Sequence, residues 1–158
     1  MMKKLLTVLL LSTATFVATA SHPVESLLER IAPGASQRIS VREVPSDEDF
    51  FEISAENGRP LVTGNSAVNI AAGVNWYLKY YPHIHLSWNN MKAELPEVLP
   101  LPAKAERRST DASRRYYLNY CTHSYSMAFW DWERWQQEID WMALHGINIP
   151  LAMTGTDV

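Results

Sequence analysis

The residues between Tyr116 and Met153 place the strongest constraint on the fold. They form a short strand-like run, a cluster of small polar residues, an aromatic helix and a second apolar run. Asp131 can cap the helix and Gly146 can end it, and the apolar run 147–153 fits a fully buried parallel strand. This order of elements predicts the opening of a parallel α/β fold, in which the ends of the strands form pockets.

A barrel of eight such units needs about 250 residues, whereas residues 116–158 hold one βαβ unit. We therefore predict the truncated start of a (β/α)8 TIM-like barrel, whose structural partner is the remainder of its own barrel. One face of the helix is expected to pack against the strands through Trp132, Trp135, Ile139 and Met142. Its carboxylates are expected to face solvent, with Glu138 paired to Arg134 one turn earlier: Glu133, Glu138 and Asp140.

Residues 21–90 predict a small α+β domain. Helices are expected at residues 24–31 and 67–78, the second capped by Asn65 or Ser66. Alternating patterns and the Asn57-Gly58 turn predict four strands, at residues 38–44, 50–55, 60–63 and 84–88. Closely spaced prolines lead us to interpret residues 91–115 as a proline-rich linker along this domain.

The first twenty residues have the composition of a signal peptide. Lys3 and Lys4 supply positive charge, an apolar run follows, and Ala18-Thr-Ala20 fits a small-residue cleavage site. The run is too short and too polar for stable membrane insertion, which argues against the alternative of an N-terminal membrane anchor. We expect an exported protein, periplasmic or extracellular, with a bacterial-type signal peptide over residues 1–20.

Charge and spacing argue against several classes of function. The net charge of −3 argues against nucleic acid as a partner. His123 and His145 are too far apart to form a metal-binding pattern, and the sequence has no phosphate-binding glycine loop. We therefore expect no metal and no cofactor. The single cysteine, Cys121, is either buried or part of a site.

Residues 119–125, called the polar turn below, follow the first barrel strand, where parallel barrels carry their functional residues. Their side chains offer donors and acceptors suited to the hydroxyl or acetamido groups of a sugar: Asn119, Thr122, Ser124 and Tyr125. The alternative is a loop that satisfies its own backbone, and the residues alone leave both interpretations open. Trp130, just before the helix, can line the same pocket.

From Arg115 onward the chain carries a specific set of motifs. Two tyrosines are followed by Asn-x-Cys-Thr-x-Ser-Tyr-Ser, then Trp-Asp-Trp-x-Arg-Trp, then Glu-Ile-Asp-Trp-Met-Ala-Leu-x-Gly-Ile-Asn. This set resembles the alpha-N-acetylglucosaminidases, the family 89 glycoside hydrolases. Upstream, Val62-Thr-Gly64 and His85-Leu-Ser-Trp88 are similar to the small N-terminal domain of that family. The resemblance thus covers nearly all of the chain after residue 20.

The resemblance implies an exo-acting glycoside hydrolase that removes terminal alpha-linked N-acetylglucosamine from glycans with retention of configuration. It implies two catalytic glutamates beyond Val158, no catalytic residue in this chain, and therefore an inactive fragment. It also implies that Asn119, Cys121 and Tyr125 hold the terminal sugar. Asp157 departs from the glutamate that the family usually has there. An alternative from another class is a carbohydrate-binding or scaffolding module without catalysis.

Overall fold

The computed structural model describes residues 21–151. The predicted signal peptide and Asp157 lie outside these residues. The described chain is a mixed α/β structure with a four-stranded sheet, a two-stranded sheet and three α-helices, which confirms the predicted fold class. The elements are α1 (Pro23–Ile31), β1 (Ser40–Glu43), β2 (Asp49–Glu56), β3 (Arg59–Gly64), α2 (Ala67–Tyr80), β4 (Glu106–Thr110), β5 (Tyr116–Tyr117), α3 (Trp132–Leu144) and β6 (Ile149–Pro150).

The larger sheet has the strand order β1-β3-β2-β4. Strands β2 and β3 form the predicted antiparallel hairpin, with Ile53 opposite Val62. Asn57 (φ 51°) and Gly58 (φ 74°) both adopt left-handed backbone at its tip, as a two-residue hairpin turn requires. Strand β1 runs parallel to β3, and β4 runs antiparallel to β2.

The predicted strand at residues 84–88 is wrong. Within the described chain this segment makes an isolated bridge between Ser87 and Asn90, and β4 takes the fourth place in the sheet instead. Part of the segment interpreted as a linker, residues 91–115, is therefore a strand. The Glu-Arg-Arg-Ser-Thr sequence of β4 does not alternate apolar and polar residues. It does not need to, because β4 is an edge strand held by backbone hydrogen bonds, and four of its five side chains are exposed.

Helix α2 packs on the sheet and forms the centre of the core. Ser66 caps it by accepting a hydrogen bond from the Asn69 backbone N–H at 3.2 Å, one of the two caps predicted. Gly73 allows the close approach, since a Cβ atom there would lie 2.6 Å from Val62 Cγ1. The fully buried residues around this contact include Leu28, Ile53, Val62, Ile70, Val74 and Leu78.

The second unit contains the predicted parallel pair. Strand β5 pairs with β6, and α3 connects them, beginning after Asp131 and ending before Gly146 (φ 73°) as predicted. Both strands are shorter than expected, and Ile149 in β6 is 38% exposed rather than buried. The inward helix face is also partly wrong, because Trp132 and Ile139 are exposed while Met142 is buried.

The prediction that the carboxylates of α3 face solvent is wrong for two of the three. Glu138 and Asp140 are buried, whereas Glu133 is exposed. The reason is that the N-terminal domain covers this side of the helix: α2 packs against α3, and residues of α1 and of the loop at Trp88 reach its carboxylates. Among the helices of residues 21–151, none is long and apolar enough to cross a membrane.

Candidate functional site

The polar turn lies directly after β5. Leu118 has a positive φ of 105°, which turns the chain away from the strand, and residues 120–124 form a short 3-10 helix. Asn119 begins that helix, because its side-chain Oδ1 accepts a hydrogen bond from the Cys121 backbone N–H at 2.9 Å. The turn thus has a defined backbone conformation, a capped 3-10 helix, and is not an irregular loop.

The three predicted sugar-binding side chains are close in sequence and exposed. Tyr125 is 79% exposed, Cys121 is an exposed free thiol, and Asn119 is also exposed. A cysteine buried in the core, one of the two alternatives for Cys121, is therefore not what the structure shows. Their role in binding a sugar stays a prediction, which the next subsection develops.

Some polar groups of the turn serve its own backbone, as the alternative interpretation predicted. The Asn119 carbonyl accepts hydrogen bonds from the backbone N–H and the hydroxyl of Thr122. The Thr122 carbonyl in turn accepts from the Tyr125 and Met127 backbone N–H groups at 3.2 Å and 3.0 Å. These bonds fix the backbone, so that exposed side chains project from a defined frame.

His123 ties the turn to the rest of the unit. Its Nε2 lies 3.3 Å from the carbonyl oxygen of Leu151, just after β6, and its ring stacks on Trp135 with centroids 5.6 Å apart. The position of the turn therefore depends on both α3 and the second strand.

Below the turn lies a group that we call the tryptophan–arginine cluster: Trp88, Trp130, Arg134 and Trp135. The guanidinium carbon of Arg134 lies 3.9 Å from the ring centroid of Trp130 and 4.6 Å from that of Trp88. Trp130 meets Trp135 edge to face at 5.1 Å. These are cation–π and aromatic contacts of ordinary favourable geometry. Trp130 and Trp135 thus act in packing, while Trp132 is exposed.

Glu138 is fully buried beneath this cluster. Its Oε2 accepts hydrogen bonds from Trp88 Nε1 at 2.6 Å and from Arg134 Nη2 at 3.2 Å, which confirms the predicted Arg134–Glu138 pair. Burial raises the pKa of the Tyr117 phenol, and the nearby Glu138 carboxylate raises it further. Sequence reasoning found the pair, but not the Trp88 contact, because the two residues are 50 positions apart.

Two further ion pairs hold the N-terminal domain against the barrel unit. Arg30 binds both carboxylate oxygens of Asp140 at 2.6 Å. Arg115 donates to Asp49 at 2.7 Å, to Asn69 at 2.8 Å, and to the carbonyl oxygen of Gly146 at the end of α3. The guanidinium of Arg115 is the main reason why the pKa of Asp49 lies below its ordinary value.

The chemistry available at the polar turn is hydrogen bonding and aromatic contact. Residues 21–151 hold no group of three His, Cys, Asp or Glu side chains that could bind a metal ion. Glu138 is enclosed and Asp140 is bound to Arg30, so neither carboxylate is free to reach a substrate. The groups exposed at the polar turn therefore suit a polar ligand.

This architecture has close counterparts among known proteins. A small α+β domain that packs on the first unit of a parallel barrel matches two successive family models: the alpha-N-acetylglucosaminidase N-terminal domain over residues 22–101 and the alpha-N-acetylglucosaminidase tim-barrel domain over residues 115–158. Fold and site thus define a member of a glycoside hydrolase family. The chain belongs to the alpha-N-acetylglucosaminidase family.

Comparisons with individual proteins support the same family. Human alpha-N-acetylglucosaminidase is 36% identical over 147 residues, which is 89% of this chain and 20% of the human protein. A family 89 glycoside hydrolase from Clostridium perfringens in complex with 2-acetamido-1,2-dideoxynojirmycin is 32% identical with a TM-score of 0.76, over 84% of this chain and 16% of that chain. CpGH89 of Clostridium perfringens in complex with its substrate GlcNAc-alpha-1,4-galactose is 32% identical with a TM-score of 0.73, over 82% of this chain and 15% of that chain. The chain spans about a fifth of the human relative.

Proposed function

We propose that the whole protein is an exo-acting glycoside hydrolase that removes terminal alpha-linked N-acetylglucosamine from glycans. The observation that carries the proposal is the polar turn: a fixed backbone at the end of β5 that presents Asn119, Cys121 and Tyr125. The GlcNAc-alpha-galactose complex of the related Clostridium perfringens protein supports this class of substrate.

The three side chains have complementary roles in this proposal. The Asn119 amide offers both a donor and an acceptor to sugar hydroxyls, and Tyr125 offers a hydroxyl on a rigid apolar ring. Cys121 is small enough to let the sugar approach the end of the strand. In this proposal the thiol borders the sugar and takes no part as a nucleophile.

The bond-breaking groups of this proposal are two glutamates contributed by chain beyond Val158, acting with retention of configuration. Retaining glycosidases use two carboxyl groups about 5–5.5 Å apart, one as nucleophile and one as acid/base. Glu138 is enclosed and Asp140 is bound to Arg30, so the proposal assigns neither of them to this pair. The remainder of the barrel is thus the partner that completes the site, and residues 21–158 alone are expected to be inactive.

An activity assay tests the proposal. We expect the full-length protein to release the aryl group from an aryl alpha-N-acetylglucosaminide, to leave the beta anomer intact, and to yield first the alpha anomer of N-acetylglucosamine by NMR. Residues 21–158 are the matched control and should give no release above blank. Binding of the sugar without any turnover by the full-length protein would favour the carbohydrate-binding module instead.

We also propose that residues 1–20 direct export to the periplasm or the cell exterior. The support is their sequence alone: two lysines, an apolar run and small residues at Ala18 and Ala20. Mass spectrometry of the secreted or periplasmic protein should find an N-terminus near Ser21. Recovery of the uncleaved precursor from the cytoplasm would contradict the proposal.

A further inference from the structure

The buried carboxylate of Glu138 is the strongest feature that the proposed sugar-binding site leaves unused. It is fully enclosed, and it accepts hydrogen bonds from Trp88 and Arg134 of the tryptophan–arginine cluster. A buried ion pair adds little to the free energy of folding, because the cost of desolvating both charges offsets much of their attraction. Arg134 Nη1 is a buried donor without a hydrogen-bond partner within residues 21–151, which adds to that cost.

Contacts lead from Glu138 to the polar turn by two routes. Along the first, Arg134 packs on Trp130, Trp130 on Trp135, and the Trp135 ring stacks on His123 inside the turn. Along the second, Glu138 lies beside Tyr117, the last residue of β5, which precedes Asn119 by two residues. Both routes end at the segment that presents the exposed side chains.

We infer that Glu138 is a positioning residue for the polar turn, held in place by Trp88 of the N-terminal domain. The N-terminal domain thereby helps to set the geometry of the sugar-binding site. This inference rests on the proposed function for its kinetic consequence, but its structural consequence, the position of the turn, is independent of activity.

The chain offers a matched control in Asp140. It lies on the same helix, is also buried, and also accepts hydrogen bonds from the N-terminal domain, here from Arg30. It accepts hydrogen bonds from Arg30, which is not part of the tryptophan–arginine cluster. A purely structural role for Glu138 therefore predicts that Glu138→Ala and Asp140→Ala behave alike.

Two measurements on the full-length protein distinguish a positioning role for Glu138 from a purely structural one. The first is the rate at which iodoacetamide alkylates Cys121, followed by mass spectrometry of its peptide, because this exposed thiol lies in the turn. The second is kcat and KM with an aryl alpha-N-acetylglucosaminide. Glu138→Ala should change the alkylation rate about threefold or more and lower kcat/KM about tenfold, mainly through KM, as for one weakened pocket hydrogen bond.

Asp140→Ala should leave both readouts within about twofold of wild type, even where the melting temperature falls. Glu138→Gln, which keeps an acceptor for Trp88 and Arg134, should restore most of the loss. Trp88→Phe removes the donor but keeps a ring beside Arg134, so it should shift both readouts in the same direction as Glu138→Ala, and it carries the test if Glu138→Ala does not fold.

The outcomes distinguish this inference from the proposed function. Equal changes in Glu138→Ala and Asp140→Ala, or an unchanged alkylation rate in Glu138→Ala and Trp88→Phe, would overturn the positioning role while leaving any measured turnover in place. A selective change in alkylation in a protein without turnover would support the positioning role and sink the proposed activity.

Discussion

Asn119 shows how one residue serves both the backbone and the candidate site. Its Oδ1 accepts the Cys121 N–H, while the exposed side chain stands at the end of β5. The sequence predicted a polar turn at a strand end, because strand, polar cluster and capped helix follow one another. The cap itself was not predicted, since it depends on the positive φ of Leu118, which the pattern of residues does not encode.

We predict that Asn119→Ala lowers kcat/KM of the full-length protein about tenfold to a hundredfold, because unpaired polar groups in a sugar pocket cost about 1–3 kcal/mol each. Part of the effect could arise from the lost cap. Asn119→Ser is the control: serine can keep the cap but cannot offer an amide. It should therefore retain the wild-type melting temperature and still lose activity. Wild-type kinetics in both variants would remove Asn119 from the site.

Cys121 provides a second prediction at the same scale. Cys121→Ser should keep kcat/KM within about threefold of wild type, because the exposed thiol is assigned a packing role and serine has nearly the same size. Cys121→Leu should lose activity about tenfold or more, since a larger side chain would intrude on the sugar. Steady-state kinetics measure both, and a Cys121→Ser variant as inactive as a deleted nucleophile would contradict the assignment.

At the scale of elements, the sequence predicted best where several local signals agreed. Helix α2 has helical spacing and a Ser66 cap, and the β2–β3 hairpin has the Asn57-Gly58 turn. Strand β4 was missed because its register comes from backbone pairing with β2, and its arginines contact partners distant in sequence: Arg107 lies 3.4 Å above the Phe50 ring. Local patterns carry no information on such contacts.

The contact between α2 and the sheet gives an element-scale prediction. Gly73→Ala would place a Cβ 2.6 Å from Val62 and 2.9 Å from Phe51, so the helix or the sheet must shift. Overpacking of this kind costs about 1–3 kcal/mol, more than the gain in helix propensity. The melting temperature should fall. Lys79→Ala, at an exposed position of the same helix, is the control and should change stability by less than about 0.5 kcal/mol.

At the scale of the molecule, the described chain is held together by buried polar contacts between its N-terminal domain and α3. Arg30 and Trp88 donate to carboxylates of α3, and Arg115 links Asp49 and Asn69 of the N-terminal domain to the carbonyl oxygen of Gly146 just after α3. The sequence predicted two units, but the carboxylates of α3 were predicted to face solvent, because a helix of the outer barrel ring usually has one solvent-exposed face. Here the N-terminal domain covers that face. Glu138 and Asp140 are buried in ion pairs, but in the sequence alone they look like surface charges. The family motifs implied candidate site residues but did not reveal this contact between the domains.

The Arg115–Asp49 pair makes the stability of this assembly sensitive to acid. Arg115 lowers the pKa of Asp49, with further help from Asn65 and Asn69, so the folded state binds this proton less readily than the unfolded state. A lowered carboxyl pKa stabilises the fold above the unfolded value and loses that contribution as the pH falls through the folded value. We therefore expect part of the fall in melting temperature below about pH 5 to arise here.

Asp49→Asn should lower the melting temperature at neutral pH and make it less dependent on pH across that acidic range. Arg115→Gln should flatten the dependence to a similar degree, because the guanidinium is the largest cause of the lowered pKa. Some dependence should remain in both variants, since Arg108 also lowers the pKa of Glu106. Thermal melts of the full-length protein at a series of pH values measure this. A wild-type dependence in both variants would show that the pair does not couple folding to acid, however close its atoms lie.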